Sequence, residues 1–186
     1  MGQCIRKELQ NQKMSKSKKP KNKNEKEQNE PKEFDLNSFI KESLIKHNEL
    51  RKLHSSSELK INEQLNLIAQ KYAEYLASKN KFQHSKNKFN NENLGENIYS
   101  CTGTILTGNE MTDEWYNEIK DYDFNKPENS ENINCGHFTQ VIWNGSKEVG
   151  FGGAMSKKGV WYGVANYYPA GNILGDFEKN ILKEKQ

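Results

Sequence analysis

No stretch of this sequence approaches the roughly 18 uninterrupted apolar residues that a helix needs to cross a bilayer, and only 33% of its 186 residues are hydrophobic. That shortage argues against a membrane-spanning helix. Met1 to Lys7 leads into polar sequence instead of the apolar core of a secretory signal, so the expectation is a protein made in the cytosol and kept there. Cysteine is scarce too: Cys4, Cys101 and Cys135 are an odd set without CxxC spacing, which speaks against a disulfide framework and a thiolate zinc site. Free thiols are expected, with a Cys101–Cys135 bridge as the alternative in an oxidising compartment. The first 33 residues lack aromatic side chains altogether and hold too few apolar ones to offset the entropy of ordering them.

What this leading segment does have is charge. Residues 1–33 carry ten Lys or Arg against five Glu, while residues 34–186 carry 18 basic and 20 acidic residues. The excess positive charge belongs to the leading segment, read as a disordered basic tail ahead of one domain at 34–180 and a short tail at 181–186. The chain opens MGQC. Removal of Met1 would expose Gly2 for myristoylation, and Cys4 stands where an adjacent palmitate could be added; two acyl chains hold firmly where one does not. The sixth residue is Arg6 and not the Ser or Thr of the simple motif. The lysines from Lys13 to Lys26 would add attraction to anionic lipid, on the order of 1 kcal/mol each near the surface. Nucleic acid is not an expected partner, because the folded part is slightly acidic and no aromatic residues interleave with the lysines. The plainer reading of the segment is a solvated linker.

Beyond the tail, Leu36, Phe39, Ile40 and Leu44 recur at helical spacing with Asp35 as a cap. Leu65, Ile68, Ala69, Tyr72, Ala73, Leu76 and Ala77 make a second amphipathic helix from Asn62. Asn-rich sequence from Asn80 to Asn97 reads as loop. Thr107 and Glu110 form a capping box before a third helix with Met111, Trp115, Ile119 and Tyr122 on its apolar face. Val149–Met155 and Val160–Asn166 alternate as a hairpin around a Ser156–Gly159 turn. Glu178–Gln186 reads as a frayed tail. Helices followed by a hairpin predict an α+β fold.

Glu118 falls on the apolar face of the third helix, and a carboxylate there is costly unless a cation, a metal or hydrogen-bond donors meet it. His84, His137 and the Lys and Arg side chains are candidate partners. With Glu96, the two histidines and two carboxylates would make a donor set that suits zinc or another divalent cation. The alternative is a hydrogen-bonded cluster that satisfies buried polar groups. His47 reads as a packing or capping residue. Neither Cys135 beside His137 nor Ser85 beside His84 has the third group that a nucleophilic centre requires.

GHFTQVIWNGS from Gly136 and VANYYPAGNI from Val164 resemble the two signature motifs of the CAP superfamily, the cysteine-rich secretory, antigen 5 and pathogenesis-related proteins. HNELR at His47, HS at His84, GENI at Gly95 and WYNEI at Trp115 follow the same order. The resemblance implies a three-layer α-β-α sandwich with a central antiparallel sheet, and a cleft lined by His84, Glu96, Glu118 and His137 that can bind a divalent cation. The MGxx start and the few cysteines look most like the Golgi-associated pathogenesis-related branch, which is myristoylated and faces the cytosol. Ala165 stands where secreted relatives often place a cysteine, whereas Cys135 before Gly136 is a feature of secreted members.

The family implies binding of anionic lipids, of sterol and of protein partners, including a second copy of the chain, more than turnover. The expected function is therefore a lipid-anchored CAP-domain protein on the cytosolic face of a membrane, with the Golgi the implied organelle. The alternatives are a zinc-dependent hydrolase, peptidase-like, that uses Glu96 or Glu118 as base, and a secreted binding protein.

Overall fold

The computed structural model describes residues 33–128 and 130–185. Helix α1 (Leu36–Leu53) starts at Asp35, whose carboxylate accepts the backbone N–H groups of Asn37 and Ser38, and buries Phe39, Ser43, His47, Leu50 and Arg51. Helix α2 (Glu63–Lys79) is capped by Asn62 and buries Leu65, Asn66, Ala69, Ala73, Leu76 and Ala77. Both starts match the cap residues expected from the sequence. Helix α3 (Gly108–Tyr116) begins after Thr107, whose hydroxyl accepts the Glu110 N–H. It is shorter than its apolar pattern suggests. The chain tightens at Asn117–Asp121 into a 3-10 turn, and this turn carries Glu118.

Strands β1 (Lys60–Ile61), β4 (Gly95–Thr102), β5 (Glu148–Met155) and β6 (Val160–Tyr168) form one sheet in the order β1-β5-β6-β4. All pairs are antiparallel except the short β1–β5 pair. The β5–β6 hairpin turns at Ser156–Gly159, where Gly159 takes a left-handed φ of 76°. A separate small hairpin joins β2 (Lys88–Phe89) to β3 (Glu92–Asn93). The Asn80–Asn97 segment is thus not all loop, and Glu96 and Asn97 lie on a strand. Asn is a poor strand former in isolation, but pairing of the whole of β4 with β6 overrides local preference.

Helix α2 covers one face of the sheet, where Ala69, Ala73, Leu76 and Ala77 meet Ile98, Tyr162 and Val164. Gly150 and Gly152 permit this close approach: a Cβ on Gly150 would lie 2.1 Å from the Leu65 carbonyl carbon, and one on Gly152 would lie 2.3 Å from Gln70 N. The other face packs Phe151, Ala165 and Tyr167 against Phe39 and Leu50 of α1, Met111 and Trp115 of α3, and the short helix α4 (Gly136–Ile142). Helices on both faces of the sheet make the three-layer α-β-α sandwich expected.

The C-terminal residues differ from the frayed tail read from sequence. After the single turn α5 (Phe177–Asn180), Ile181 is buried, His54 Nδ1 bonds Leu182 O at 2.6 Å, Tyr116 Oη donates to Glu184 at 2.6 Å, and Lys185 N donates to Leu53 O. One apolar residue and three hydrogen bonds tie down a segment whose composition alone looks polar. Among the described residues, no helix is long and apolar enough to cross a membrane.

Candidate functional site

The site is built at one end of the sheet, where β4 begins opposite the last residues of β6: Glu96 pairs with Asn166, and Asn97 with Ala165. Successive residues of a strand face opposite ways. Glu96 therefore shares the α2 side with Ile98, while Asn97 faces the layer of α1, α3 and α4. Each of the two reaches toward a different histidine.

On the α2 side, Glu96 Oε1 accepts His84 Nδ1 at 2.9 Å and Ser85 N at 2.8 Å, and its Oε2 accepts Asn166 Nδ2 at 3.3 Å. The Glu96 side chain is only 7% exposed, whereas His84 is 63% exposed. Burial pushes the Glu96 carboxyl up, but the bonds from His84, Ser85 and Asn166 outweigh it and hold it below its usual value. The same bond to Glu96 lifts His84 above its usual value, against the opposing effect of burial. Asn166 is fully buried, and its Oδ1 has no hydrogen-bond partner.

On the other side, Asn97 Nδ2 donates to His137 O at 3.0 Å and to Tyr167 Oη at 3.3 Å. His137 is the second residue of α4, and the Glu118 carboxylate sits at the start of that helix. Glu118 Oε2 accepts His137 N at 2.9 Å and Phe138 N at 3.1 Å, and its Oε1 accepts His137 Nδ1 at 2.6 Å. Cys135, at the N-cap position, makes no side-chain capping bond, so Glu118 supplies from a distant part of the chain the acceptors that a short helix needs at its first turn. The energetic problem posed by Glu118 is solved by three donors.

The far end of α4 is closed by Arg51. Its fully buried guanidinium donates to the carbonyls of Val141 and Trp143, each at 2.9 Å, to Ser146 O at 3.1 Å and to Ser57 O at 2.8 Å. A carboxylate at one end and a guanidinium at the other thus bracket seven residues, matching the helix dipole at both termini.

The four residues singled out from sequence come together as two pairs, His84–Glu96 and His137–Glu118. Among the described residues, no three His, Cys, Asp or Glu side chains are gathered closely enough to hold a metal ion. A surface cavity of 510 Å³ takes in His84 and Glu96 but not Glu118 or His137. In both pairs the carboxylate holds Nδ1, and the Nε2 of neither histidine bonds to any described residue. A ligating histidine commonly has its other ring nitrogen held this way. Each Nε2 atom is thus a ring donor open to a ligand, while the carboxylates of Glu96 and Glu118 hold the opposite ring nitrogens.

Nucleophilic chemistry finds little support here. Cys135 is buried, and burial pushes its thiol up. The Ser85 hydroxyl accepts Asn87 N within a local turn. Cys101 and Cys135 are both free thiols. His47 packs as expected: Nδ1 bonds Ser43 O and Nε2 meets Tyr167 Oη, and burial lowers its pKa to about 3. Gly2 and Cys4 lie outside the described residues. Sequence reasoning missed Asn97, Asn166 and Arg51. Asn97 and Arg51 stand inside the GENI and HNELR motifs, but composition and spacing do not mark them.

Residues 44–167 match the family described as CAP: Cysteine-rich secretory protein family. The chain is 39% identical over 142 residues to the human "Golgi-associated plant pathogenesis-related protein 1", covering 75% of this chain and 90% of that protein. It is 37% identical over 143 residues to "Protein PRY2" of Saccharomyces cerevisiae, covering 74% of this chain and 39% of that protein. The solved "Structure of BmVAL-1" superposes with a TM-score of 0.62 at 24% identity, covering 79% of this chain and 84% of that one. That likeness concerns the fold.

Proposed function

This chain belongs to the CAP family, the cysteine-rich secretory protein family, and on that premise we propose that it is a lipid-anchored module on the cytosolic face of a membrane, binding lipid and protein partners without turnover. The observation that carries the membrane reading is the opening MGQC followed by the lysines from Lys13 to Lys26. Myristoyl on Gly2 and palmitoyl on Cys4 provide the two chains that stable anchoring needs, and the lysines add attraction to anionic lipid. The name of the human relative supports a Golgi address. A second copy of the chain and a sterol are among the partners we assign.

Binding without turnover is supported by the engagement of both carboxylates. Glu118 serves three donors and Glu96 three, which leaves neither as a free base. A divalent cation such as zinc would be taken by Nε2 of His84 or His137, and when bound it would supply a polarised water. We assign that cation a conformational role. The free Nε2 atoms also favour a second reading, a zinc hydrolase. Peptide cleavage by the zinc-loaded protein that His137→Ala abolishes would establish the hydrolase and overturn binding without turnover.

The membrane reading is tested in cells. The wild-type protein is expected in the membrane fraction with the mass of a myristoyl group on Gly2, and Gly2→Ala is expected in the soluble fraction with its fold intact. Equal partition of the two would overturn the anchor.

A further inference from the structure

We propose that the folded domain rests on its bilayer through the outer face of helix α2, with Leu67 and Tyr75 entering the lipid interface and Lys71 and Lys79 reaching the headgroups. The bilayer is that of the anchored-module reading, on which this assignment rests. The face that meets it follows from α2 alone.

The outer side of a helix that covers a sheet is ordinarily polar. Helix α2 buries Leu65, Ala69, Ala73, Leu76 and Ala77, but its outer side is not polar throughout. Leu67, Lys71, Tyr75 and Lys79 stand four residues apart, which sets them in one row along the helix, and all four are exposed. Leu67 is 61% exposed and Tyr75 is 41% exposed. Neither belongs to a core cluster. Ile68 and Tyr72 are half-buried beside the row and widen it into a contiguous apolar patch, the kind of surface that marks a contact with something outside the domain. Tyr72 stacks on Tyr75 with ring centroids 5.8 Å apart and an angle of 15° between the planes. Its hydroxyl donates to Gln83 O at 2.6 Å, which fixes the stacked pair.

The charges of α2 are sorted to match. Its two glutamates are drawn toward β5 by amides that grip the β5 backbone. Asn66 Oδ1 accepts Phe151 N at 2.8 Å while its Nδ2 donates to Glu63 at 3.0 Å. Gln70 Oε1 accepts Gly153 N at 2.9 Å, while its Nε2 donates to Gly153 O at 3.1 Å and to Glu74 at 3.0 Å. The outer row keeps Lys71 and Lys79, and among the described residues neither has a carboxylate within 4.0 Å. That row complements an anionic surface. Lysine is depleted from the centres of protein interfaces, yet Lys71 stands between Leu67 and Tyr75. A lipid interface suits the same order of residues: tyrosine settles at headgroup level, and lysine lays its stem along apolar surface while its ammonium reaches water and anionic lipid. Leucine and tyrosine set between lysines suit a helix that lies in the interface plane. With α2 against the bilayer, the opposite layer of α1, α3 and α4 faces away and leaves His137 open to protein partners.

The test uses the acylated full chain carrying Tyr75→Trp, bound to liposomes of phosphatidylcholine and phosphatidylserine with or without bromine on the acyl chains. Bromine quenches a tryptophan that enters the lipid, and the signal of Trp115, Trp143 and Trp161 is subtracted with the unsubstituted chain. The expected result is a blue shift and quenching in Tyr75→Trp, and neither in Leu174→Trp, whose loop bonds to α4 through Asn172. Adding Leu67→Asp/Lys71→Glu to Tyr75→Trp is expected to abolish the quenching, and adding Ile45→Asp on α1 is expected to leave it. Urea midpoints confirm that each variant is folded. Quenching that is equal at both sites, confined to Leu174→Trp, absent from both or retained by the double variant would overturn this face. A chain that floats without quenching overturns the face and leaves the anchor standing, whereas a chain that does not float overturns both.

Discussion

Glu118 grips His137 at two points, taking the backbone N–H at 2.9 Å through one oxygen and the ring Nδ1 at 2.6 Å through the other. The same carboxylate thus starts helix α4 and orients the imidazole, so positioning of the site and stability of the fold are one event. Glu118→Ala removes the acceptor for three donors in a partly exposed setting, where water replaces some of them. The expected loss is about 2 kcal/mol of folding stability, read by urea unfolding. The amide resonances of His137 and Phe138 should shift together. A stability change within about 0.5 kcal/mol, the range of ordinary surface substitutions, would contradict the capping role.

Arg51 is the counterpart at the other end. Arg51→Ala strands the buried carbonyls of Val141, Trp143 and Ser146, frees the carbonyl of the exposed Ser57 and opens a cavity. The expected loss is on the order of 4 kcal/mol, a large share of the 5–15 kcal/mol typical of a whole domain. Arg51→Lys should recover part of this, because an ammonium can reach some but not all of the four carbonyls. Denaturant midpoints at pH 7 check both.

The buried histidines set the acid limit of the fold. Burial lowers His47 from 6.5 to about 3, and burial also lowers His54. Each folded value lies below the unfolded one, so their stabilisation is complete above pH 6.5 and is lost as pH falls below it. His47 alone should account for about 2 kcal/mol between pH 7 and pH 5. In His47→Gln the stability difference between those two pH values should shrink by that amount; an unchanged difference would show that His47 does not set the slope.

His84 has the opposite sign. Its folded value is raised by Glu96, so its contribution is complete below pH 6.5 and fades as pH rises through the raised value. Glu96 is lowered, so its contribution is present above pH 4.5 and is lost as pH falls through the lowered value. The pair stabilises best between the two. Glu96→Gln removes the charge but leaves the burial, and the His84 titration followed by NMR should move down to its usual value or below. A midpoint that stays raised would mean another group holds the ring.

Several parts of this arrangement were legible before any coordinates. Asp35, Asn62 and Thr107 mark helix starts through their side-chain oxygens, and the apolar period of Leu65 to Ala77 marks the face that α2 buries. Glu118 is conspicuous as a carboxylate in an apolar pattern, but the pattern does not choose among His84, His137 and the basic side chains as its partner. Strand β4 was not legible, because Gly95–Thr102 owes its conformation to β6, some 65 residues further along the chain. Nor was the role of Arg51, whose four partners are backbone carbonyls with no side-chain signature. The division of the two histidines and two glutamates into separate pairs depends on which face of β4 each residue takes, and a one-residue change of register would reverse it.

The most direct measurement is flotation of the acylated protein and of Gly2→Ala with anionic liposomes, each at low and high salt. The account predicts that only the acylated protein floats and that salt weakens its binding, as a two-chain anchor assisted by lysines requires. Flotation of neither protein, or equal flotation of both, would contradict a membrane-anchored module.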